Sequence, residues 1–507
     1  MDQNLNRRNF IKTTAAAGLA IASAAVLPGC SAATTGKGGS VSWKEEADVV
    51  VVGSGFAGLA AAIEAVAAGS SVKVLEKMPI SGGNSIINGG DLAAAGTKMQ
   101  AEAGIKDSVD LMVEDMLKAG SYLNHVEKVR LLAEKSSETV DWTMSLGVKY
   151  RRVNFHGGHS VPRAHATANA SGGDIVKAEL ARLKEKGVNV AKNSKVVRLI
   201  QNDAGRVLGV EVKTGYKFGD ENSGTTSFIK AKKAVVLAAG GFSQDVRMRM
   251  IHDPRLTDNL DSTNHAGATG ELLREALKLG AMDIHMDWIQ CGPWTSPDEK
   301  GFGYVPQFCE RLVGYAPMVN PKTGKRFIKE TGDRKVRADA ILKFGYPVVI
   351  LGDSYAVQRQ IVPKILEAGM KNGSVKKYDT LEELARAYEI PVGPFLEEVR
   401  RWNSMVLNGK DTDHDCLILE GAKPTIEGPF YAARLWPRVH HTMGGLLTNL
   451  KAQVINQDYN PIPGLYAAGE ITGGIHGAVR LGSCALTDCL VNGRIAGQEA
   501  AREQAWT

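Results

Sequence analysis

The sequence is poor in the features that mark several classes of protein. It has only 6 cysteines in 507 residues, and no pair has CxxC or CxxCH spacing. We therefore expect no disulfide framework, no cysteine-ligated cluster and no c-type haem attached to this chain. Aromatic residues make up only 6%, and the net charge of +6 includes no Lys/Arg block with interleaved aromatics. Nucleic-acid binding is therefore not expected.

Metal-ligand spacing is also missing from the sequence. Among the 11 histidines only His440 and His441 are adjacent. Neighbouring side chains on a strand point to opposite sides, so these two cannot hold one ion together, and we predict no metal site. The pair still marks a candidate site, because it is followed by Thr442, Met443 and two glycines.

The apolar segment near the N-terminus, Ala15 to Leu27, is too short to cross a bilayer, which takes roughly 20 apolar residues. It follows two arginines and a phenylalanine, an arrangement typical of a twin-arginine (Tat) export signal. A first helix of the fold is the alternative interpretation, but the segment is Ala-rich and has no amphipathic period. We predict a Tat-type signal peptide at residues 1–33 and a Gly/Ser/Thr-rich linker at residues 34–45.

Such a signal predicts an exported protein, located in the periplasm or at the outer face of the cytoplasmic membrane. The Tat route carries folded proteins, so a cofactor would be inserted before export. Leu27 to Cys30 resembles a lipobox with a proline before the glycine. Lipid anchoring at Cys30 and a signal-peptidase cut nearby are the two alternatives.

What the sequence does contain is 56 glycines, several of them in a recognisable pattern. A buried strand leads into the turn Gly53–Gly58 and a helix, and Glu76 closes the next strand. This pattern is the dinucleotide-binding fingerprint. Gly53 permits the tight turn, Gly55 lets the backbone approach a pyrophosphate, and Gly58 lets the helix pack on the strand. The helix N-terminus attracts phosphate, and Glu76 can bind ribose hydroxyls.

Further glycine-rich turns indicate FAD rather than NAD. They lie at Ser81–Ser85, Ala238–Gly241 and Ala468–Glu470. Each alone is an ordinary turn, but a long cofactor threaded through one domain needs several such close backbone approaches. The predicted FAD-binding residues are Gly53, Gly55, Phe56, Ala57, Gly58, Glu76, Lys77, Ser81, Gly83, Asn84, Ser85, Gly90, Asp91, Ala239, Gly240, His441, Gly469, Glu470, Ser483, Ala485 and Leu486.

Strand and helix patterns alternate to about Met282, which predicts an α/β fold with a parallel sheet. Val207–Val212 and Thr226–Ile229 interrupt this alternation and are predicted to form antiparallel strands laid over the domain. A return to sheet-like patterns near the C-terminus suggests that the same domain is completed there.

A segment of different composition separates the two parts of this domain. Residues 287–437 contain aromatic and Pro-rich loops and then helices, one beginning with the capping-box sequence Thr380–Glu383. We predict a Rossmann-like FAD-binding domain at residues 46–286 and 438–507, with an inserted α+β clamp (capping) domain at residues 287–437.

These motifs together resemble a known family. The fingerprint, "SGGNS", "GKRF" with a later Arg, "HHTMGG" and "LYAAGEITGGIHGAVRLGS" are similar to those of the soluble fumarate reductase and flavocytochrome c flavoproteins, which are related to succinate dehydrogenase flavoprotein subunits. The resemblance runs from about Ala47 to Ala501. It implies a FAD domain, a clamp domain and noncovalent FAD, since the "SGGNS" segment offers no histidine for covalent attachment.

The resemblance implies reduction of an activated C=C bond, with hydride from flavin N5 delivered to the carbon β to a carboxylate. His440 and Arg480 resemble the pair that binds that carboxylate, and Arg334 resembles the arginine that protonates the α-carbon. Fixed cations on the carboxylate side would favour the transition state, and a guanidinium suits a carboxylate. A salt bridge between Arg334 and Asp333 is the structural alternative.

An arginine keeps its proton above pH 12, so it can act as an acid only when a relay returns the proton. The family uses a glutamate and a second arginine for this purpose. We predict Glu310 as the relay acid, with either Arg311 or Arg337 as the second arginine. His440 is expected to face the substrate carboxylate, and His441 is expected to turn toward the flavin.

The sequence departs from fumarate reductases where these bind their second carboxylate. Gly292 stands in place of the histidine of a His-Pro-Thr segment, and the following region is aromatic, with Trp294 and Tyr304. A buried dicarboxylate with one end unpaired would be strongly disfavoured. We therefore expect an α,β-unsaturated monocarboxylate of the urocanate, acrylate, methacrylate or cinnamate type, and predict Gly292, Trp294 and Tyr304 among the substrate-binding residues.

For urocanate, Asp298, Glu299 or Glu310 could pair with the imidazole while Trp294 or Tyr304 stacks on the ring. The same aromatics could equally be ordinary core of the clamp domain. Three other functions stay open: fumarate reduction proper, a 3-ketosteroid-type dehydrogenase, and a flavin electron-transfer subunit without catalysis. An exported reductase has no NAD(P)H pool, so we expect a separate donor such as a c-type cytochrome or a quinol-linked membrane protein.

Overall fold

The structure, a computed structural model, describes residues 41–506. The predicted signal peptide, Cys30 and most of the predicted linker lie outside the described residues. Within residues 41–506, no helix combines the length and the hydrophobicity needed to cross a bilayer. The five cysteines in this part of the chain are free thiols.

The strands, in chain order, are β1 Glu45–Val52, β2 Val72–Leu75, β3 Asp91–Ala93, β4 Tyr150–Asn154, β5 Ala164–Thr167, β6 Val190–Ala191, β7 Ser194–Gln201, β8 Val207–Thr214, β9 Thr225–Leu237, β10 Asp283–Ile284, β11 Ile289–Gly292, β12 Met318–Val319, β13 Val348–Gly352, β14 Lys376–Tyr378, β15 Phe430–Leu435, β16 Arg438–Thr442, β17 Gly445–Leu446, β18 Gln453–Ile455 and β19 Pro461–Ala467. The helices are α1 Phe56–Ala67, α2 Gly83–Ile87, α3 Lys98–Glu102, α4 Val109–Ala119, α5 Val126–Ser145, α6 Gly173–Glu185, α7 Val246–His252, α8 Glu271–Lys278, α9 Val305–Leu312, α10 Arg334–Phe344, α11 Ser354–Gln360, α12 Pro363–Lys371, α13 Leu381–Ala387, α14 Val392–Leu407 and α15 Cys484–Arg502.

A largely parallel sheet organises the FAD-binding part of the chain. Its strands follow the order β18-β19-β9-β1-β2-β6, with β7 and β8 attached through β9. The pairs of β1 with β2, β1 with β9, β19 with β9 and β2 with β6 are parallel. The predicted α/β fold is therefore confirmed.

The strand β1 shows why this sheet forms. Val49 and Val51 pack into one hydrophobic cluster with α1 and α15, while Val50 and Val52 pack into another on the opposite face. A strand covered on both faces is hydrophobic throughout rather than alternating, which is how its run of four valines was recognised.

The long strand β9 differs from the prediction. An antiparallel strand was expected at Thr226–Ile229, but one strand of 13 residues, Thr225–Leu237, extends well beyond it. Its first half pairs antiparallel with β8, and its second half pairs parallel with β1. The antiparallel excursion is thus a continuation of the main sheet rather than a separate layer.

Residues 287–437, the predicted clamp domain, contain a sheet of their own, in the order β12-β13-β15-β14, with a hydrophobic cluster on each side. The side chain of Thr380 accepts from the backbone N–H of Glu383 and caps α13 as expected. The reciprocal bond is shifted, since the Glu383 carboxylate accepts from the N–H of Asp379. The antiparallel pair of β11 with β16 joins residues 287–437 to the FAD-binding part, and the pair of β10 with β17 joins the two segments of that part.

Candidate active site

The turn after β1 has the geometry that the fingerprint requires. Gly53 has a φ of +109°, and a Cβ there would lie 2.2 Å from the carbonyl oxygen of Ala238. A Cβ on Gly58 would lie 2.0 Å from the carbonyl oxygen of Gly53, so this glycine lets α1 pack against the turn. The loop and the N-terminus of α1 open into a cavity, which is the cradle that a pyrophosphate needs.

Glu76 lies at the far side of this first cavity. Its Oε2 accepts from the backbone N–H of Ser54 at 3.1 Å and from the Ser54 hydroxyl at 2.6 Å, and its Oε1 accepts from the N–H of Met78 at 2.9 Å. These bonds fix the carboxylate at the end of β2. An acidic group held there suits ribose hydroxyls, so the residues present fit the adenosine half of FAD.

The predicted FAD residues divide between this first cavity and a second one beside it. Those lining the first are Gly53, Gly55, Phe56, Ala57, Glu76, Lys77, Gly83, Asn84, Ser85, Ala239, Gly240, Gly469 and Glu470. Those lining the second are Phe56, Asn84, Ser85, Gly90, Asp91, His441, Glu470, Ser483, Ala485 and Leu486. The residues common to both lists join the cavities into one elongated site of the kind a dinucleotide occupies. Gly58 and Ser81 line neither cavity.

Lys77 belongs to a cluster of three charged side chains, of which the sequence predicted only Lys77. Lys77, predicted from its place after Glu76, donates to Glu271 at 2.7 Å, and Lys195 lies 2.9 Å from the same carboxylate. Burial would raise the pKa of Glu271, but the two lysines outweigh it and lower the pKa to about 2. Lys195 lines neither cavity but pairs with Glu271, which carries no local motif and is brought to the first cavity only by the fold.

His440 and His441 both line the second cavity. Their neighbours differ, since His440 lies beside Trp294 and His441 beside His476, and a β-bulge interrupts the pairing of β16 with β11. Gln290 lies opposite His441 and Cys291 lies opposite Val439, which leaves His440 without a partner across the pair. A bulge re-aims a side chain in this way, and bulges are common beside active sites.

His440 is held by its neighbours as a neutral imidazole. Its Nδ1 lies 2.7 Å from the hydroxyl of Thr263, and its ring lies 4.8 Å from the ring of Trp294 in an edge-to-face arrangement. Burial and then the charges of Arg480 and Arg334 hold the pKa of His440 well below its usual range. A neutral ring can donate one hydrogen bond to a carboxylate without itself carrying a charge.

Arg480 supplies a buried cation to the same cavity. Gln290 donates to its backbone carbonyl at 3.1 Å, which fixes the loop before α15. The Arg480 Nε has no hydrogen-bond partner among the described residues, although it is buried. Burial and then the charge of Arg334 lower the pKa of Arg480 to about 9. A buried guanidinium with a free donor is suited to bind a carboxylate.

Arg334 begins α10 and also lines the second cavity. The alternative of a salt bridge with Asp333 is not what the structure shows, because Asp333 caps α10 by accepting from the N–H of Val336. The Arg334 guanidinium lies 5.5 Å from the centre of the Trp294 ring. Burial lowers its pKa, which makes this arginine a stronger acid than one in water.

Glu310 lies beside Arg334 and is bound to Arg337 rather than to Arg311. Arg337 donates to the Glu310 carboxylate at 2.9 Å. Burial would raise the pKa of Glu310, but the charges of Arg337 and Arg334 outweigh it and lower the pKa. The structure thus brings together a carboxylate and two arginines, the set that a proton relay requires, and of the two predicted partners it selects Arg337.

Several predicted substrate residues lie elsewhere. Tyr304 does not line the cavity, because it precedes α9 with its ring exposed, and its N–H donates to Glu299. Gly292 does not line it either, because the Trp294 ring covers the place where a Cβ would lie, at 2.7 Å. Asp298 is paired with Arg434. Tyr304 is therefore not placed to stack on a substrate imidazole, and Asp298 is not free to pair with one.

Several residues that line the second cavity were not among the predicted site residues, including Thr263, Asn264, His156 and Phe302. Phe302 lies 5.7 Å from Trp294 and 6.2 Å from His440, ring centre to ring centre, and completes an apolar wall. The His- and Gly-rich segment around His156 was the one signal in the sequence that could have drawn attention to it.

The chain is similar to flavoproteins along almost its whole length. The model of the FAD binding domain family matches residues 48–486. The acrylate reductase flavoprotein subunit of Shewanella woodyi is 40% identical over 503 residues, 97% of each chain. The urocanate reductase of Eggerthella lenta is 36% identical, over 90% of this chain and 75% of its own length. The open conformation of a flavocytochrome c3 fumarate reductase has a TM-score of 0.75 at 36% identity, covering 91% of this chain and 79% of the other.

Proposed function

The chain belongs to the FAD binding domain family of oxidoreductases, and on that premise we propose that it reduces the C=C bond of a short α,β-unsaturated monocarboxylate of the acrylate or methacrylate type. The observation that carries this proposal is that donating and cationic groups lie beside an apolar wall in the part of the second cavity around His440. His440, Arg480 and Arg334 offer cationic or donating groups. The neighbouring wall, formed by Trp294 and Phe302, is apolar.

The cationic side is built for one carboxylate. The buried Arg480 and the neutral His440 can both donate to it, and neither carries a carboxylate of this chain as a direct partner. The substrate charge would compensate the buried guanidinium, which otherwise pays a desolvation cost. A single carboxylate is therefore the ligand that this side accepts.

The apolar wall argues against a second carboxylate. Trp294 is buried, and its ring lies between the imidazole of His440 and the guanidinium of Arg334, at 4.8 Å and 5.5 Å. A carboxylate pressed against this ring would lose its hydration without gaining an ion pair. Fumarate is therefore a poor fit, in line with the absence from the sequence of the His-Pro-Thr segment that binds the second carboxylate in fumarate reductases.

Urocanate is a poorer candidate than a small acid. Asp298 is paired with Arg434, Glu299 binds the N–H groups of Tyr304 and Val305, and Glu310 is paired with Arg337. None of these carboxylates remains to neutralise an imidazole ring. The extent of similarity to an acrylate reductase subunit supports the same choice.

The residues that line the two cavities would hold FAD, which would supply a hydride for the carbon β to the carboxylate. His440 and Arg480 hold the carboxylate, and their positive potential favours the negative charge that builds there. Arg334 gives a proton to the α-carbon, and the Glu310–Arg337 pair returns one to it. One hydride and one proton together convert the double bond to a saturated acid.

The electron supply and the location are part of the proposal. We propose that a separate donor, such as a c-type cytochrome or a quinol-linked membrane protein, reduces the flavin outside the cytoplasm. The twin-arginine pattern near the N-terminus supports export through the Tat route. The word "subunit" in the name of the Shewanella woodyi relative supports a partner protein. Brisk turnover with NADH alone would contradict this arrangement.

A panel of unsaturated acids tests the substrate assignment. Anaerobic oxidation of a reduced dye would be followed with acrylate, methacrylate, cinnamate, urocanate and fumarate. We expect kcat/KM for acrylate or methacrylate to exceed that for fumarate by on the order of a hundredfold, because an unpaired buried carboxylate costs several kcal/mol. Fumarate as the best substrate would overturn the proposal, and urocanate as the best would redirect it to the larger acids.

The panel also separates the competing functions. A non-catalytic electron-transfer subunit would turn over none of these acids, and a 3-ketosteroid-type dehydrogenase would instead oxidise a steroid ketone with a dye as acceptor. Arg334→Ala provides the internal control. If acid reduction proceeds as proposed, this variant loses it while its flavin absorbance stays, because Arg334 gives the proton and does not hold the cofactor.

A further inference from the structure

A second group of polar and ionisable side chains, called here the arm, lies near Arg334 in addition to Glu310 and Arg337. It consists of His156, Asp91 and Ser483, all of which line the second cavity. The proposed mechanism uses none of them. His156 Nδ1 lies 3.0 Å from the Ser483 hydroxyl, and its Nε2 lies 3.6 Å from a carboxylate oxygen of Asp91.

The gap between His156 and Arg334 is kept open by a glycine. A methyl group placed on Gly482 would lie 3.2 Å from His156 Nδ1 and 3.6 Å from Arg334 Nη2. The two side chains therefore converge on the same point of the backbone, with no side chain between them there. A single water molecule is enough to join groups so placed.

The other end of the arm is close to solvent. About a quarter of the His156 side chain is exposed (24%), as is about a fifth of the Asp91 side chain (21%). Asn154 donates to the second carboxylate oxygen of Asp91 at 3.1 Å, which holds the carboxylate toward His156. The arm thus reaches Arg334 from the second cavity without passing through Glu310 or Arg337.

We propose that His156, supported by Asp91, is a second proton donor to Arg334, acting in parallel with the Glu310–Arg337 pair; this inference rests on the proposed reductase function. In each turnover Arg334 loses one proton to the substrate α-carbon. The protonated His156 ring passes one proton to the neutral guanidine and regains one from solvent. No electron moves in these steps, and the charge of the arm is restored at the end of the cycle.

The charges around His156 determine how its contribution depends on pH. Burial lowers its pKa below the usual value. Asp91 and Glu310 act in the opposite direction, while Arg334 and Arg311 add to the lowering. The neutral ring therefore dominates at neutral pH, and the protonated fraction grows as the pH falls. The rate of proton transfer through His156 should therefore also rise as the pH falls.

His156→Gln tests this role, because glutamine can still bond to Ser483 but does not titrate. At about pH 6 we expect kcat to fall by roughly tenfold with little change in KM, and the difference from the unchanged protein to narrow by about pH 8. His252→Gln is the matched control. That histidine is also paired with an acid, Asp287, but lines neither cavity, so its pH profile should match the unchanged protein.

Two further measurements distinguish proton transfer from mere positioning. Added imidazole should restore part of the activity of His156→Ala, and this restoration should follow the concentration of imidazolium. Combining His156→Gln with Glu310→Gln should lower kcat by more than the product of the two single effects, because parallel routes are then both closed. Flavin absorbance in each variant shows that the cofactor is still bound.

The outcomes separate this inference from the proposed function. If the unchanged protein reduces no unsaturated acid, the proposed function fails, and this role for His156 fails with it. If the unchanged protein is active but His156→Gln keeps the same pH profile, the inference alone is overturned. The same holds if imidazole restores nothing, or if the double variant shows only the product of the single effects.

Discussion

At the scale of single residues, the chemistry of the site depends on the reacting groups and also on the neighbouring residues that set their protonation states. The Thr263 hydroxyl lies 2.7 Å from His440 Nδ1, and burial keeps this imidazole neutral. When the hydroxyl donates to Nδ1, the ring proton lies on Nε2, where it can face a carboxylate. On this interpretation, in which the hydroxyl donates to Nδ1 rather than to the Asn264 amide oxygen 3.3 Å away, Thr263 selects the tautomer with the proton on Nε2.

Thr263→Val tests this interpretation. Valine keeps the shape of the side chain but removes the hydroxyl, so the ring is free to adopt the other tautomer. We expect KM for the acid to rise by about tenfold, the equivalent of roughly 1.4 kcal/mol, since the carboxylate loses one donor. Steady-state kinetics over the acid range measures the effect.

Thr263→Ser is the control for the valine variant. It retains the hydroxyl, so KM should stay near that of the unchanged protein. If both variants behave alike, the hydroxyl does not govern the histidine, and packing around Thr263 would be the cause instead.

At the scale of secondary-structure elements, the clamp domain is held by a buried ionic cluster. Arg326 donates to Glu330 and to Asp411, at 2.6 Å in each case, and the three side chains are fully buried. The cluster ties the segment before α10 to the loop after α14. The three groups Glu330, Asp411 and Cys416 lie close enough to hold a metal ion, but the arginine already compensates both carboxylates.

Arg326→Met should therefore be strongly destabilising. It leaves two carboxylates buried without a counter-charge, and breaking a buried pair in this way costs about 3–5 kcal/mol. Burial would raise the pKa of Asp411, but Arg326 outweighs it and lowers the pKa. A depressed folded pKa contributes stability that is fully present above the unfolded value near 3.8 and is lost as the pH falls further, so the deficit of the variant should shrink below about pH 4.

Urea unfolding at several pH values measures this effect. Arg434→Met is the matched control, since it removes an arginine from a pair with Asp298 in which the arginine is largely exposed. Its effect should not exceed about 1 kcal/mol. Equal losses in the two variants would contradict a special role for the buried cluster.

At the scale of the whole molecule, the cofactor site joins distant parts of the chain. Its walls come from the turn after β1, from the region of Asn84, from the end of β9 and from the start of α15. A ligand held by all of these segments stabilises the folded state by mass action, by about 4 kcal/mol at a thousand times its Kd. Loss of FAD should therefore loosen the entire FAD-binding part.

Removal of FAD tests this linkage. The stripped protein should melt at a lower temperature, and added FAD should restore the original melting temperature. FMN lacks the adenosine half for which Glu76 and its cavity are suited, so it should restore less. Equal rescue by FMN would show that the first cavity contributes little to binding.

Local motifs were the part of this molecule that could be predicted from sequence. The role of Gly53 and Gly58 depends on a few neighbouring residues, and the strand valines follow from burial on both faces. The β-bulge at His440 and the place of Tyr304 depend on pairing between segments far apart, which no local pattern records. Likewise His156 came to the site only through the fold.

One feature of the packing bears on how the protein is made. Gly493 and Gly497 of α15 lie against the backbone of Ala57 and Ala61 in α1, where a Cβ would come within 2.5 Å and 2.1 Å of a carbonyl oxygen. Arg494 and Glu64, which pair across this contact, are 430 positions apart. At typical rates of synthesis α1 would wait on the order of 20–90 s for its partner. The nascent fingerprint helix would spend that time with one face uncovered, and cofactor capture would belong to the last moments of translation or to the period after it.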